Sequence, residues 1–287
     1  MYRERVRAAK PAVSAKAVAQ CRASPAPGTN TAAGAAHAST GRQALQAGGQ
    51  ATSADGTGKI AHMNLLAIET STELGSIALW RDGELLRRAC PAGMSHSETL
   101  LPLIRTTLHD AGLRFAELNA VAFAAGPGSF TGLRVACGVA QGLACAHDLP
   151  VIPVGTLEAM ALHSGGQRVI VALDARMGQV YYGFYVDGVG LAAVAVGDPA
   201  DVPVPDSPGW LACGNGLLAY PVLTERLSGC VQRWQPELMP DAAPIARLAA
   251  LRLARGESLD AADATPLYVR NKVALTVAER LASGGKA

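Results

Sequence analysis

One succession of segments occurs twice along the chain and limits the folds open to it. A short apolar run, a polar turn, a second run, an Asp-Gly pair and a third run fill residues 64–89, and the same order returns over residues 169–196. An Asp-Gly pair between two apolar runs is a strong sequence signal for a β-hairpin. Each half is therefore predicted to begin with three antiparallel strands, the last of them over residues 191–196.

Helices and further strands follow the hairpins in each half. Apolar residues at helical spacing predict helices over 95–111, 133–147 and 156–163. The duplication fits the two-lobed α/β architecture of the actin, Hsp70 and sugar-kinase (ASKHA) type, in which each lobe has a mixed sheet with flanking helices. A doubly wound parallel sheet is the alternative, but parallel strands need long crossovers rather than hairpins. The expected lobes are residues 63–168 and 169–287, with the C-terminal segment returning to the first lobe.

Residues 1–62 differ in composition from the rest of the chain. They hold eight Lys/Arg against Glu4 and Asp55, are rich in Ala, Gly, Ser and Gln, and show no apolar period. Such a segment cannot bury enough apolar surface to offset the entropy of ordering, so disorder is predicted. It is a translated upstream stretch, a disordered basic arm or a transit peptide. The first interpretation is favoured, because a predicted strand follows Met63 directly.

Charge and hydropathy exclude several classes of protein for residues 63–287. Their net charge is −4, because the first 62 residues hold +6 and the whole chain +2. That balance gives no electrostatic footprint for direct nucleic-acid binding. No run of about 18 apolar residues occurs, so no membrane span is predicted. Six cysteines without a CxxC pair predict free thiols in a reducing cytoplasm and no metal or disulfide framework.

Three turns are candidates for ligand binding. The segment 126–132 (GPGSFTG) joins a strand to a helix, so it either faces a phosphate or is a tight turn that needs positive φ. It is not a Walker A loop, because no Gly-Lys-Ser/Thr follows. The turns 69–72 and 174–178 occupy matching places in the two halves, and Arg176 is suited to a phosphate, a carboxylate or a surface ion pair. The residues of this predicted nucleotide-like cleft are Thr70, Ser71, Gly126, Gly128, Ser129, Asp174 and Arg176.

The first two predicted helices are candidates for a partner interface. Ser95 and Glu98 have the spacing of a capping box, and Pro102 predicts a kink or a later start of the first helix. The second helix has two rows of small residues, more than one contact with a sheet needs, which favours a second partner. The residues of the predicted interface are Ser95, His96, Leu100, Leu103, Ile104, Leu108, Gly132, Arg134, Ala136, Gly138, Ala140 and Gly142.

A hydrolase triad is not predicted. His96 has no nucleophile or metal partner at a useful spacing, and neither Ser97 nor Ser129 has a recognisable base. A structural role is therefore the expected one for these side chains.

Several separated motifs together resemble one family. The segments are 66–71 (LAIETS), 95–98 (SHSE), 126–134 (GPGSFTGLR), 173–181 (LDARMGQVY) and 266–270 (PLYVR), and they resemble the TsaB (YeaZ) family in the right order. The resemblance implies an actin-like two-lobed fold and work beside TsaD, the catalytic threonylcarbamoyl transferase, and the ATPase TsaE. The product would be N6-threonylcarbamoyladenosine at position 37 of tRNAs that read codons beginning with A. The tRNA would be reached only through the complex.

TsaD looks like a paralogue of the TsaB family, and this sequence departs from TsaD at the metal site. TsaD follows a short strand with His-x-x-x-His, whereas the segment 152–160 (IPVGTLEAM) has Thr156 and Met160 at those two places. Neither side chain is a competent ligand for a hard or borderline cation. The resemblance therefore implies a non-catalytic scaffold that binds TsaD, has no metal or cofactor, and pairs with a second copy when alone. The alternative is an enzyme in its own right, an ATPase, a kinase-like transferase or a glycoprotease-like peptidase.

Overall fold

The computed structural model describes residues 63–270, all of which fall in one compact unit. The predicted disordered extension, residues 1–62, lies outside the described residues. Within residues 63–270 no helix is long and apolar enough to cross a membrane.

The first sheet has five strands. They are β1 (Asn64–Glu69), β2 (Ser76–Arg81), β3 (Glu84–Ala89), β4 (Ala120–Gly126) and β5 (Val151–Gly155). Their order across the sheet is β3-β2-β1-β4-β5. The strands β1, β2 and β3 pair antiparallel, and β1, β4 and β5 pair parallel. The central strands β1 and β4 are nearly continuous apolar runs because helices cover both faces of the sheet.

The second sheet repeats this topology. Its strands are β6 (Arg168–Asp174), β7 (Val180–Val186), β8 (Val189–Gly190), β9 (Ala195–Gly197), β10 (Trp210–Cys213) and β11 (Val231–Gln235). The order is β11-β10-β6-β7-β8, and β9 also pairs with β7. The strand β6 pairs antiparallel with β7 and parallel with β10, as β1 does with β2 and β4. The predicted fold of the actin, Hsp70 and sugar-kinase type is confirmed.

Only the end of the predicted strand over residues 191–196 is a strand, because β9 begins at Ala195. Two short strands, β8 and β9, share the edge of β7 in its place, and residues 191–193 between them are exposed. The apolar run is long enough for a strand, but it leaves the sheet between β8 and β9. At that point β7 ends its pairing with β8 and begins its pairing with β9.

Helices cover both faces of each sheet. They are α1 (His96–Asp110), α2 (Phe130–His147), α3 (Thr156–Ser164), α4 (Gly216–Ala219), α5 (Pro221–Leu227) and α6 (Ala242–Ala254). The helices α1 and α2 pack on one face of the first sheet, and α6, from the second half of the chain, packs on the other. The helix α3 packs on the second sheet against β6, and α4 and α5 cover the opposite face.

The starts of α1 and α2 differ from the prediction. Ser95 stands at the N-cap of α1, but its side chain makes no capping hydrogen bond and its Oγ lies 2.6 Å from the Ser97 Oγ. The predicted capping box is therefore wrong, and the Ser95 hydroxyl pairs with the Ser97 hydroxyl instead of a backbone N–H. The helix begins at His96 and continues through Pro102, whose ring is exposed. The helix α2 begins three residues earlier than predicted, since the Ser129 Oγ accepts from an N–H of its first turn.

The chain after α6 runs back along the first sheet. We call residues 257–270 the C-terminal strap. Leu259 and Val151 exchange two backbone hydrogen bonds of 2.9 Å, and the Leu267 N–H donates to the Ala125 carbonyl at 2.7 Å. Further along, the Arg270 guanidinium donates to the Ala175 carbonyl at 3.0 Å, in the turn after β6. The strap therefore contacts both halves of the molecule.

Candidate interlobe cleft and partner surface

A cleft of about 970 Å³ lies between the turn after β1, the turn after β6 and the first turns of α1 and α2. Of the seven residues predicted for a nucleotide-like cleft, five line it: Ser71, Gly128, Ser129, Asp174 and Arg176. The other two, Thr70 and Gly126, are buried behind its wall. Three residues predicted for the partner interface, Ser95, His96 and Gly132, also line the cleft. The cleft and the first turns of the two helices are thus one continuous region.

The glycine-rich loop is tightly packed against the turn after β1. A Cβ on Gly128 would lie 2.5 Å from the Ser71 Cβ, and one on Gly132 only 1.8 Å from the Thr70 carbonyl oxygen. The Ser129 N–H donates to the Ser71 carbonyl at 2.7 Å, and the Thr70 hydroxyl donates to the Gly132 carbonyl at 2.8 Å. The lack of a side chain at these two glycines therefore allows the two backbones to lie close together. The Ser129 N–H, one donor that a phosphate loop would offer, is already used.

Arg176 forms ion pairs at the mouth of the cleft. Its guanidinium lies 2.6 Å from a Glu73 oxygen and 3.5 Å from an Asp174 oxygen. Both Arg176 and Glu73 are largely exposed, so the pair itself is worth about 0–1 kcal/mol. The ion pair is one of the alternatives that the sequence left open for Arg176. It joins the turn after β1 to the turn after β6 across the cleft.

Glu69, at the end of β1, is a buried acid that the sequence reasoning left out of the site. It is fully buried, its Oε1 accepts from the Ser71 N–H, and its Oε2 has no hydrogen-bond partner. Burial raises the pKa of this carboxyl to about 7, and the nearby Asp241 adds to the effect against the hydrogen bonds from Ser71. A glutamate closing an otherwise apolar strand was the available signal. Burial thus favours the protonated form of this carboxyl.

His96 connects the start of α1 to the turn after β1. Its Nε2 lies 2.9 Å from the Thr72 carbonyl oxygen, so this nitrogen is the donor. The ring packs on Gly75, where a Cβ would come within 2.7 Å of it. No group of three His, Cys, Asp or Glu side chains within residues 63–270 is placed to hold a metal ion. The geometry gives His96 a structural contact.

Thr156 and Met160 lie at the two places where the resemblance puts the metal ligands of TsaD. Thr156 is fully buried at the first turn of α3, and its hydroxyl has no hydrogen-bond partner among the described residues. Met160 is 1 % exposed and packs in the apolar core of the second sheet, with its methyl group beside Gly214. Met160 therefore acts as a packing residue.

The two rows of small residues on α2 differ in their exposure to solvent. Ala136 and Ala140 are fully buried against the first sheet, whereas Gly138 and Gly142 are exposed. A Cβ on either of these glycines would meet no other atom within 4 Å. Among the residues of α1 predicted for the interface, three are buried in the same core and Leu103 is partly buried: the three are Leu100, Ile104 and Leu108. The open part of the predicted interface is therefore Ser95, which precedes α1, together with Arg134, Gly138 and Gly142 on α2.

Comparison with known proteins identifies the family. The Escherichia coli protein named tRNA threonylcarbamoyladenosine biosynthesis protein TsaB is 38% identical over 226 residues, which is 74% of this chain and 96% of that relative. This chain belongs to the TsaB family. The Haemophilus influenzae TsaB is 34% identical over 231 residues and is covered to 95%. The resemblance drawn from the sequence motifs is confirmed.

The structural and family comparisons agree with TsaB membership. YeaZ from Pseudomonas aeruginosa, a solved structure, superimposes with a TM-score of 0.66 at 38% identity, covering 72% of this chain and 99% of the other. A second Pseudomonas aeruginosa structure, described as similar to peptidase YeaZ, gives 0.67 at 37% identity. The family model described as TsaD, tRNA N6-adenosine threonylcarbamoyltransferase, matches residues 91–204. A TsaB chain thus shares sequence features with the transferase family over its middle part.

Proposed function

We propose that this chain is the non-catalytic scaffold and activating subunit of the complex that forms N6-threonylcarbamoyladenosine at position 37 of tRNA. It binds the catalytic TsaD-type subunit and works with a TsaE-type ATPase in the cytoplasm. The names of its relatives support the pathway, and the match to the TsaD model over residues 91–204 supports a shared fold with the partner. The tRNA is contacted through the complex, since residues 63–287 carry a net charge of −4.

The non-catalytic role rests on the residues that occupy the two metal-ligand positions of TsaD. Thr156 and Met160 replace two histidines, and both are buried, with Met160 inside an apolar core. A thioether in such a core is a poor ligand for a hard or borderline cation. The transferase chemistry must therefore come from another subunit, and this chain contributes binding.

The partner surface that fits this role is the outer side of α1 and α2. Because TsaD-type subunits share the fold, they present a comparable pair of helices, and two such pairs meet as a four-helix contact. Gly138 and Gly142 permit close approach, since no side chain stands between the backbones. The same surface can pair with a second copy when the TsaD-type subunit is absent, as two-fold contacts are self-complementary.

Reconstitution tests this function. The purified chain alone is expected to transfer no threonylcarbamoyl group, to turn over neither ATP nor peptide, and to hold no stoichiometric iron or zinc after washing with chelator. Adding it to TsaD-type and TsaE-type subunits is expected to raise formation of the modified nucleoside in tRNA by at least tenfold. Turnover by the chain alone would support the alternative of an independent ATPase, transferase or peptidase, and nucleotide titration would show whether the cleft binds a ligand.

Gly138→Leu is expected to prevent binding of the TsaD-type subunit while the chain stays folded. The new side chain points into open space in the free chain but fills the gap between helices in the complex. Binding should weaken by about 100-fold or more, because overpacking at a central contact costs roughly 3 kcal/mol. Isothermal titration calorimetry measures the affinity, and circular dichroism verifies the fold.

Gly229→Leu is the matched control, because Gly229 is exposed, its Cβ would also meet nothing within 4 Å, and it lies before β11 in the second half. It should bind normally. Ala140→Trp, by contrast, is expected to unfold the chain, since Ala140 is fully buried against the sheet. Normal binding by folded Gly138→Leu and Gly142→Leu variants would place the interface elsewhere.

A further inference from the structure

An arginine and two aromatic rings form a cluster on the outward side of α2. The Arg134 guanidinium carbon lies 3.9 Å from the centre of the Phe130 ring and 5.9 Å from the centre of the Tyr268 ring. Its Nε donates a hydrogen bond of 3.0 Å to the Tyr268 hydroxyl, and the two ring centres are 5.6 Å apart. All three residues are exposed. The cluster therefore holds the guanidinium in one orientation at the surface, through its Nε and its face.

No carboxylate accompanies this arginine within the described part of the chain. None of the ion pairs found in residues 63–270 includes Arg134. The helix α2 has no acidic residue, and Arg134 stands in its second turn, near the end where the helix dipole disfavours a cation. An arginine in this state is a planar, pre-oriented donor that matches a carboxylate in a two-point hydrogen bond.

Arg134 shares one side of α2 with the two exposed glycines. Residues four apart project from the same side of a helix, so Arg134, Gly138 and Gly142 form one row. One helical turn, about 6 Å, separates Arg134 from Gly138. A partner helix that packs against the two glycines therefore also passes beside Arg134. A side chain on that helix, about one turn away from the point where the two helices come closest, reaches the arginine. The rest of this row is uncharged, so the arginine sets the charge of the contact.

We propose that Arg134 is the charged anchor of the partner interface and binds an aspartate or glutamate carried by a helix of the TsaD-type subunit. This inference rests on the proposed function and adds the chemistry of its central contact. Phe130 and Tyr268 orient the guanidinium before binding, which reduces the side-chain entropy lost in the complex. Arginine and aromatic residues are the types that dominate binding energy at interfaces. Because Tyr268 belongs to the C-terminal strap, the second half of the chain helps to build the surface.

A charge series at this position tests the anchor. The affinities of Arg134→Ala, Arg134→Lys and Arg134→Glu for the TsaD-type subunit are measured by calorimetry at low and high salt. Arg134→Ala is expected to weaken binding roughly 30-fold and to reduce its salt dependence, since one close charge pair is lost. Arg134→Lys should recover part of the loss, because it keeps the charge but not the planar fork. Arg134→Glu should bind least, and an acid-to-arginine exchange on the partner helix should restore it.

The controls separate an anchor from a purely internal contact. Arg233→Ala removes another exposed arginine, on the edge strand β11, and should leave affinity and salt dependence unchanged. If Arg134→Ala and Arg134→Glu bind within twofold of the unchanged chain while Gly138→Leu does not bind, the anchor is wrong and the proposed function stands. The same holds if Arg134→Ala lowers only the melting temperature, since the arginine then merely ties the strap to α2. If the unchanged chain does not bind the TsaD-type subunit, both the function and the anchor are wrong.

Discussion

Glu69→Gln is expected to stabilise the protein at pH 8 and to remove most of the pH dependence of its stability between pH 5 and pH 7.5. The pKa of Glu69 is raised from 4.5 to about 7, first by burial. A raised pKa in the folded state means that the fold favours the protonated acid. The contribution is fully present below about pH 4.5 and is lost as the pH rises through about 7. The difference corresponds to about 3 kcal/mol, since one pKa unit is worth about 1.4 kcal/mol.

Glutamine keeps an oxygen for the Ser71 N–H and removes the ionisable group, so it avoids burying a charge at pH 8. The measurement is the free energy of unfolding in urea at pH 5, 6, 7 and 8, for the unchanged chain and the variant. Glu225→Gln is the matched control, because Glu225 is exposed on α5 and should change stability by only a few tenths of a kcal/mol. Parallel pH profiles for the unchanged chain and Glu69→Gln would assign the titration to another group.

Gly132→Ala is expected to destabilise the protein by about 3–5 kcal/mol, although alanine is the better helix former. Its Cβ would lie 1.8 Å from the Thr70 carbonyl oxygen, so backbone has to move. That movement also strains the hydrogen bond from the buried Thr70 hydroxyl to the Gly132 carbonyl. A buried hydroxyl that loses its partner costs about 1–3 kcal/mol, which adds to the overpacking.

Gly138→Ala provides the opposite result on the same helix. Its Cβ meets no atom within 4 Å, so only helix propensity changes, and the variant should be more stable by about 1 kcal/mol. Thermal unfolding followed by circular dichroism compares the two variants with the unchanged chain. Equal effects of the two alanines would mean that the contact between the glycine-rich loop and the turn after β1 does not constrain the fold.

The first part of each sheet follows from local sequence. The Asp-Gly pairs predicted the hairpin of β2 and β3 and the turn from β7 into β8, because a two-residue turn leaves an antiparallel neighbour as the only outcome. The apolar runs on either side of a polar turn predicted the pairs β1–β2 and β6–β7. The repeated order of segments was sufficient for the two-lobed fold. The run 191–196 misled, since an apolar run does not report which strand edge is free to pair with it.

The candidate site was located by sequence but not explained by it. The turns 69–72, 126–132 and 174–178 do meet at one cleft. Which donors in that cleft are occupied depends on residues far apart in the chain, as with Arg176 and Glu73. The raised pKa of Glu69 depends on its burial beside Asp241, more than 170 residues away.

Sequence alone determined the two hairpin sheets, the strand-to-helix loop and membership of the TsaB family, because these depend on short-range patterns and motifs. Tertiary structure alone decided which row of small residues on α2 faces outward. Ala136 and Ala140 pack on the sheet, and Gly138 and Gly142 are open. Helical periodicity could not choose between the rows, since both are small and the pattern carries no contrast in hydropathy. The choice is made by the sheet, whose contacts with α2 join residues distant in sequence and bury one side of the helix.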